Sequence, residues 1–203
     1  MKRKLFTLAV IVICLSILAG GTFANFTTEN TAHNVITSGK VDVELLETTD
    51  KTDPETGEPL PFKDVTGVMP GREVSKIVQV ENVGTEPAYV RVLVEKEIRK
   101  DSSPTSLDTG VIGIDFDTVN WTKKTENDGT TYYYYKDVLG GGVTTEPLFN
   151  TVKFNGPDMG NDYQNSEAYV NVYVMAVQAK NNPVPDGGTV ADDVQGWPEL
   201  PQQ

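Results

Sequence analysis

Between Ala88 and Ile98 the chain alternates without a slip. Ala88, Val90, Val92 and Val94 fall on one side of an extended backbone, and Tyr89, Arg91, Leu93 and Glu95 on the other. A period of two is the period of a β-strand. This strand needs one buried face and one amphipathic face, the condition met by one sheet of a sandwich. The pattern recurs in Glu73–Glu81 (EVSKIVQVE), where Val74, Val78 and Val80 share a face. Val41–Leu45 reads as a strand, and Ala168–Ala179 (AYVNVYVMAVQA), β-branched and aromatic throughout, reads as a central one. Ile112–Phe116, Val119–Lys123 and Glu146–Phe154 supply shorter segments, and no helical period is sustained after the first 24 residues. The expected fold class is all-β, a sandwich of about eight strands.

Turn chemistry separates these strands. Val68-Met69-Pro70-Gly71 places Pro and Gly where a tight turn wants them, and Asn82–Pro87 turns the chain again. Asn127-Asp128-Gly129 is the strongest hairpin signal; it joins Trp121–Lys123 to four consecutive tyrosines, Tyr132–Tyr135. Two rings then fall on each face, one pair expected inside and the other outside. Glu47–Lys63, Lys100–Gly110 and Asn155–Asn165 read as surface loops, and Gly140–Gly142 as a flexible break. Asn181–Gly188 reads as linker, and Val190–Trp197 as a short helix able to lay Trp197 on the sandwich.

The N-terminus has a different character. Lys2, Arg3 and Lys4 precede the almost wholly apolar Leu5–Leu18, and small residues close the run at Ala19–Ala24. Thr22 and Ala24 occupy the −3 and −1 positions of a signal cleavage site, which puts the cut between Ala24 and Asn25. The apolar run is about 14 residues, short of the roughly 20 that span a bilayer core. Export is the reading, with an uncleaved anchor as the alternative and no other contact with a membrane. The expected domains are a signal helix at 1–24, a sandwich at 25–180, and a linker and tail at 181–203 that carries Trp197.

The 203 residues less the 24 of the leader leave 179, enough for one domain with its own core. The single cysteine, Cys14, lies in the leader behind Ile13 rather than a small residue, which argues against a lipid anchor and against disulfides. The formal charge is −12; the leader contributes three positive charges, so the rest carries −15. Such acidity excludes nucleic acid and anionic membrane surfaces as partners, because both need a basic footprint.

Catalytic chemistry finds few residues to use. His33 is the only histidine, and a zinc hydrolase needs three protein ligands. Asp115 and Asp117 sit two apart, and Asp158 and Asp162 share a Gly-containing loop with Asn161. These are the weak metal candidates, and none follows the spacing of a calcium loop. No catalytic residue and no cofactor are assigned.

Two segments carry a resemblance. GGTFANFTTENTAHNVITSGKVDVELLE combines a Gly-Gly-Thr-aromatic-Ala cleavage region, an aromatic-Thr pair, a Thr/Asn-rich stretch and a Gly-Lys-Val strand. PGREVSKIVQVENVGTEPAYVRVLVE adds a Pro-Gly turn, a Lys-bearing strand, an Asn-x-Gly turn and an Ala-Tyr-Val-Arg-Val strand, and Ala176-Val177-Gln178-Ala179 with Trp197 extends the match. The chain resembles the SipW-dependent TasA/camelysin family of Gram-positive bacteria. The resemblance implies a jelly-roll sandwich, a signal peptidase of the SipW type as partner, and a place outside the cell, in the matrix or at the cell surface. Members resembling TasA build biofilm-matrix fibres, while those resembling camelysin are classed as metallopeptidases. The expectation is a non-enzymatic fibre protein that self-associates through an N-terminal donor strand, Asn25 to about Ile36, anchored by Phe26, Val35 and Ile36. The same residues have a second fate, folding back as the first strand of their own domain. A camelysin-like peptidase, and a monomeric binding module using the Tyr132–Tyr135 face, are the alternatives.

Overall fold

The computed structural model describes residues 34–38, 41–63, 70–100 and 103–199. The expected leader, the expected cleavage pair Ala24 and Asn25, Phe26 and His33 lie outside the described residues. Eleven strands occur among the described residues: β1 (Asn34–Ser38), β2 (Val43–Thr52), β3 (Pro59–Pro61), β4 (Glu73–Asn82), β5 (Ala88–Lys100), β6 (Ser103–Ser106), β7 (Ile112–Ile114), β8 (Trp121–Thr125), β9 (Thr131–Tyr135), β10 (Phe149–Phe154) and β11 (Ser166–Gln178).

The described strands outnumber the expected eight or so: β3 and β6 form in segments read as loops, and β1 overlaps the expected donor strand. β2 runs on to Thr52, and β3 forms inside the acidic Pro-rich stretch. Pro59 and Pro61 donate no N–H, but an outermost strand needs few donors, so proline survives there. β6 lies within the segment Lys100–Gly110 and pairs with the end of β5.

The strands form two sheets. One has the order β1-β11-β5-β9-β8, with β6 also on β5; the other has the order β3-β2-β4-β10-β7. The chain crosses from β4 to β5, returns for β7, crosses again for the β8–β9 hairpin, and alternates once more through β10 and β11. Such alternation with non-sequential neighbours is jelly-roll-like. β11 and β5 run antiparallel over thirteen paired residues, from Ser166 opposite Lys100 to Gln178 opposite Ala88. β1 departs from the pattern by running parallel to β11.

Period-two side chains meet between the sheets. Val43, Leu45, Val78, Val80, Phe149 and Val152 come from one, and Val90, Val92, Trp121, Tyr133, Tyr135, Val172 and Val174 from the other. Phe116 stacks on Tyr133 with centroids 4.1 Å apart. The Asn127-Asp128-Gly129 signal becomes a three-residue loop: Glu126 and Thr130 close it, Asp128 Oδ1 accepts the Thr130 N–H at 2.9 Å, and Gly129 takes φ +87°.

The second pair of tyrosines is not outside. Tyr132 and Tyr134 are buried in a second cluster on the outer face of β11, β5 and β9, with Tyr89, Leu93, Met175 and Val177. The cover comes from the C-terminal segment: the short helix α1 (Val190–Asp193), capped by Thr189, with Val184, Val194 and Trp197 beside it. The face that the alternation of β5 marks as amphipathic is thus roofed.

Candidate functional site

Among the described residues β1 sits at the rim of its sheet and pairs with β11, from Asn34 opposite Tyr173 to Ser38 opposite Val177. Adjacent residues of a strand point to opposite faces. Val35 accordingly packs against the core between the sheets, and Ile36 against the outer cluster. The two described anchors of the expected donor segment are both seated here, in their own chain.

The other sheet edges are guarded. β3 presents Pro59 and Pro61, and β7 is only three residues long. Just beyond β7, Asp115 Oδ1 accepts the N–H groups of Asn150 at 3.0 Å and Thr151 at 2.7 Å, so a side chain ends that ladder. β8 carries Lys123 and Lys124. Prolines, shortness and lysines are the devices by which edges avoid further pairing. β1, with sequence NVITS, carries neither proline nor lysine.

A cation–aromatic clamp holds the roof over the outer cluster. The Arg91 guanidinium lies 4.0 Å from the Tyr132 ring centroid and 4.9 Å from that of Trp197. Its Nη1 donates to Tyr134 Oη at 3.3 Å, and its Nε is buried without a partner. Tyr134 donates in turn to Glu126 at 2.7 Å and meets Trp197 edge-on at 5.6 Å. Lys124 Nζ donates to Ala191 O at 2.6 Å and pairs with Asp192 at 3.1 Å. Burial, reinforced by the Glu126 carboxylate, pushes the Tyr134 hydroxyl up to about 12; burial and Glu146, which accepts from Tyr135, do the same for Tyr135. Arg91 and Trp197 were not singled out together from the sequence. The available signal was a bulky pair, Tyr89 and Leu93, flanking an arginine on the amphipathic face of β5.

The acidic candidates do not converge. Asp115 is occupied with β10 as above. Asp117 Oδ1 accepts the N–H of Val119 at 2.6 Å, and its Oδ2 accepts Asn120 Nδ2 at 2.8 Å. Burial raises the Asp117 carboxyl, but these bonds outweigh it and hold the group below its ordinary range. Asp158 accepts from Asn155, and Asp162 is exposed in the turn Asn161–Tyr163. Among the described residues no three of His, Cys, Asp and Glu come together as a metal ion requires, so these residues do not fit a bound metal. Lys76 and Glu47, among the described residues, form an enclosed charge pair of another kind. Lys76, 5% exposed on the core face of β4, meets Glu47 at 2.7 Å and lies 4.1 Å from the Phe62 ring centroid.

A family model described as camelysin metallo-endopeptidase matches residues 1–132, through most of the β8–β9 hairpin. The chain belongs to the camelysin family. No curated protein matches it significantly. Among solved structures, a carbohydrate-binding module, CBM3b of the cellulosomal cellobiohydrolase 9A from Clostridium thermocellum, aligns at 10% identity over 72% of this chain and 99% of its own, with a TM-score of 0.30. No described helix of this camelysin-family chain is long and apolar enough to cross a membrane.

Proposed function

We propose that this chain is an exported, non-enzymatic structural protein that assembles into extracellular matrix fibres by exchanging its N-terminal strand between subunits. The seat of β1 is the observation that carries the reading. A strand with one ladder partner and two apolar anchors occupies a slot that the identical segment of a neighbour fits equally well, because every contact is reproduced. Backbone pairing provides affinity, and the two side-chain pockets provide register. Donor and acceptor are different surfaces, so the contact is head-to-tail and need not close, and filaments follow. In this reading the leader is cut between Ala24 and Asn25 by a SipW-type signal peptidase, which frees Asn25–Ile36 for donation, with Phe26 as a third anchor. The protein works in the biofilm matrix or at the cell surface. N-terminal sequencing of recovered protein, with electron microscopy of filaments formed with and without residues 25–36, tests it. Filaments that survive the deletion overturn it.

The family's description supports a second reading, a cell-surface metallopeptidase. Casein cleavage that a chelator abolishes, and that His33→Ala removes, would establish this reading in place of the first. A binding module that uses Tyr132–Tyr135 has less support, because all four rings are buried.

A further inference from the structure

We propose that residues 27–33 continue β1 along the open half of β11, so that the N-terminal segment pairs in one parallel register with Ser166–Val177. The placement rests on the strand-exchange reading only for the question of whose segment it is. The edge and the register hold equally for a segment of the same chain and for one of a neighbour.

Pairing defines the open half. β11 runs thirteen residues against β5 without a break in register, from Ser166 to Gln178. On its other side β1 covers Tyr173–Val177, and among the described residues no strand pairs there with Ser166–Val172. In an antiparallel pair every second residue turns its N–H and C=O away from the partner. This stretch therefore offers a row of backbone donors and acceptors to a further strand, and it carries no proline, lysine or bulge to turn one away.

Burial marks the same boundary. Val174–Val177, beside β1, are all buried, whereas Ala168–Asn171, beyond it, are all half-buried. The core itself does not end there, because Ile98, opposite Ala168 on β5, is fully buried. Ala168 and Val170 pack on that core from the rim of the sheet, and a strand on their open side completes their cover.

Length and register name the occupant. Carried back one residue at a time from Asn34 opposite Tyr173, the ladder sets His33 opposite Val172 and Thr27 opposite Ser166. Seven residues meet seven. The edge stops at Ser166, because Asn165 takes φ +59° and breaks the extended backbone. Only Asn25 and Phe26 then separate the ladder from the expected cut after Ala24, so the segment that the cut leaves is just long enough to fill the edge. Thr27–His33 (TTENTAH) holds three β-branched threonines and neither proline nor glycine, which suits a strand, and its polar side chains suit the rim of a sheet.

The test uses paired cysteines in the full chain carrying Cys14→Ser, which has no other cysteine. Ala32→Cys with Asn171→Cys sets two thiols directly opposite in this register, at the strand spacing of about 4.8 Å that a disulfide tolerates. Ala32→Cys with Tyr169→Cys is two residues out of register and beyond that reach. With glutathione disulfide as oxidant, the first pair is expected to link and the second to stay unlinked, as mapped by mass spectrometry of the digested protein. No link in the first pair, or equal linking in both, overturns the placement and leaves exchange of β1 itself standing. Nonreducing electrophoresis separates the two ideas. A link within one chain that persists in filaments upholds the register and sinks strand exchange, whereas a link between chains upholds both. Residue-resolved hydrogen exchange on the unsubstituted chain gives a second reading that needs no variant to fold. Amides throughout Ser166–Val172 should exchange on the order of a hundredfold more slowly than in an unstructured chain. Free exchange at every second one of them overturns the proposal.

Discussion

Lys76 shows how a single residue can defeat a pattern. Its position on β4 puts it on the face of Val78 and Val80, and the ammonium is buried with them against Glu47 and the Phe62 ring. Breaking such a pair leaves one charge buried and uncompensated, at a cost of about 3–5 kcal/mol, whereas replacing both partners by apolar residues of similar volume is often neutral. Glu47→Leu is expected to lower the urea midpoint sharply, and Glu47→Leu with Lys76→Met to restore most of it. A double variant no better than the single one would show that the pair is not coupled. The buried phenols give a second residue-scale prediction. Tyr134 and Tyr135 ionise near 12 in the folded chain, above the ordinary value of about 10 for an unfolded one. The charged form is the disfavoured one, so their contribution is complete below pH ~10 and is lost as pH rises toward 12. Absorbance of tyrosinate and loss of β-sheet circular dichroism should therefore rise together above pH ~10.5. Tyr134→Phe, which has no proton to lose at that site, should move the alkaline transition upward.

At the scale of elements, the β8–β9 hairpin depends on a left-handed residue. Gly129 has φ +87°, its N–H donates to Glu126 O at 3.0 Å, and the Glu126 N–H donates to Thr130 O at 2.8 Å to close the loop. A Cβ there meets no neighbouring atom, so Gly129→Ala tests conformation alone and should cost about 1 kcal/mol in urea unfolding. This hairpin was legible in the sequence because Asn-Asp-Gly is a local signal, and so were β4, β5 and β11, whose alternation needs nothing beyond each strand. The seat of β1 was half legible: Val35 and Ile36 read as anchors, but their parallel register on β11 joins distant parts of the chain and leaves no local mark. The outer cluster was legible in part: β5 reads as having an amphipathic face and Val190–Trp197 as a short helix able to lay Trp197 on the sandwich, but nothing local places that segment over Tyr89, Leu93, Tyr132 and Tyr134. β3 escaped notice because proline argues against strands in general but not against an edge.

For the whole molecule, charge and strand exchange make a joint prediction about assembly. Residues 25–203 carry −15, while Asn25–Ile36 contains one acidic residue, Glu29. Under the proposed exchange, repulsion between subunits arises from the sandwich bodies and acts at long range, whereas the strand would hold by backbone hydrogen bonds and two half-buried anchors. Long-range repulsion is screened by salt, over roughly 10 Å at 0.1 M and 3 Å at 1 M, and short-range pairing is not. Growth of filaments should accelerate as salt rises from about 10 mM to 500 mM, while their dissociation after dilution into low salt stays nearly constant. Light scattering with electron microscopy measures both rates. Val35→Asp places an uncompensated carboxylate in the core-facing pocket of the seat and should abolish growth at every salt concentration, with the sandwich still folded by circular dichroism. Filaments that dissolve when salt is withdrawn, or that grow from Val35→Asp as fast as from the parent chain, would place the contact on the charged outer surface and not in the seat of β1.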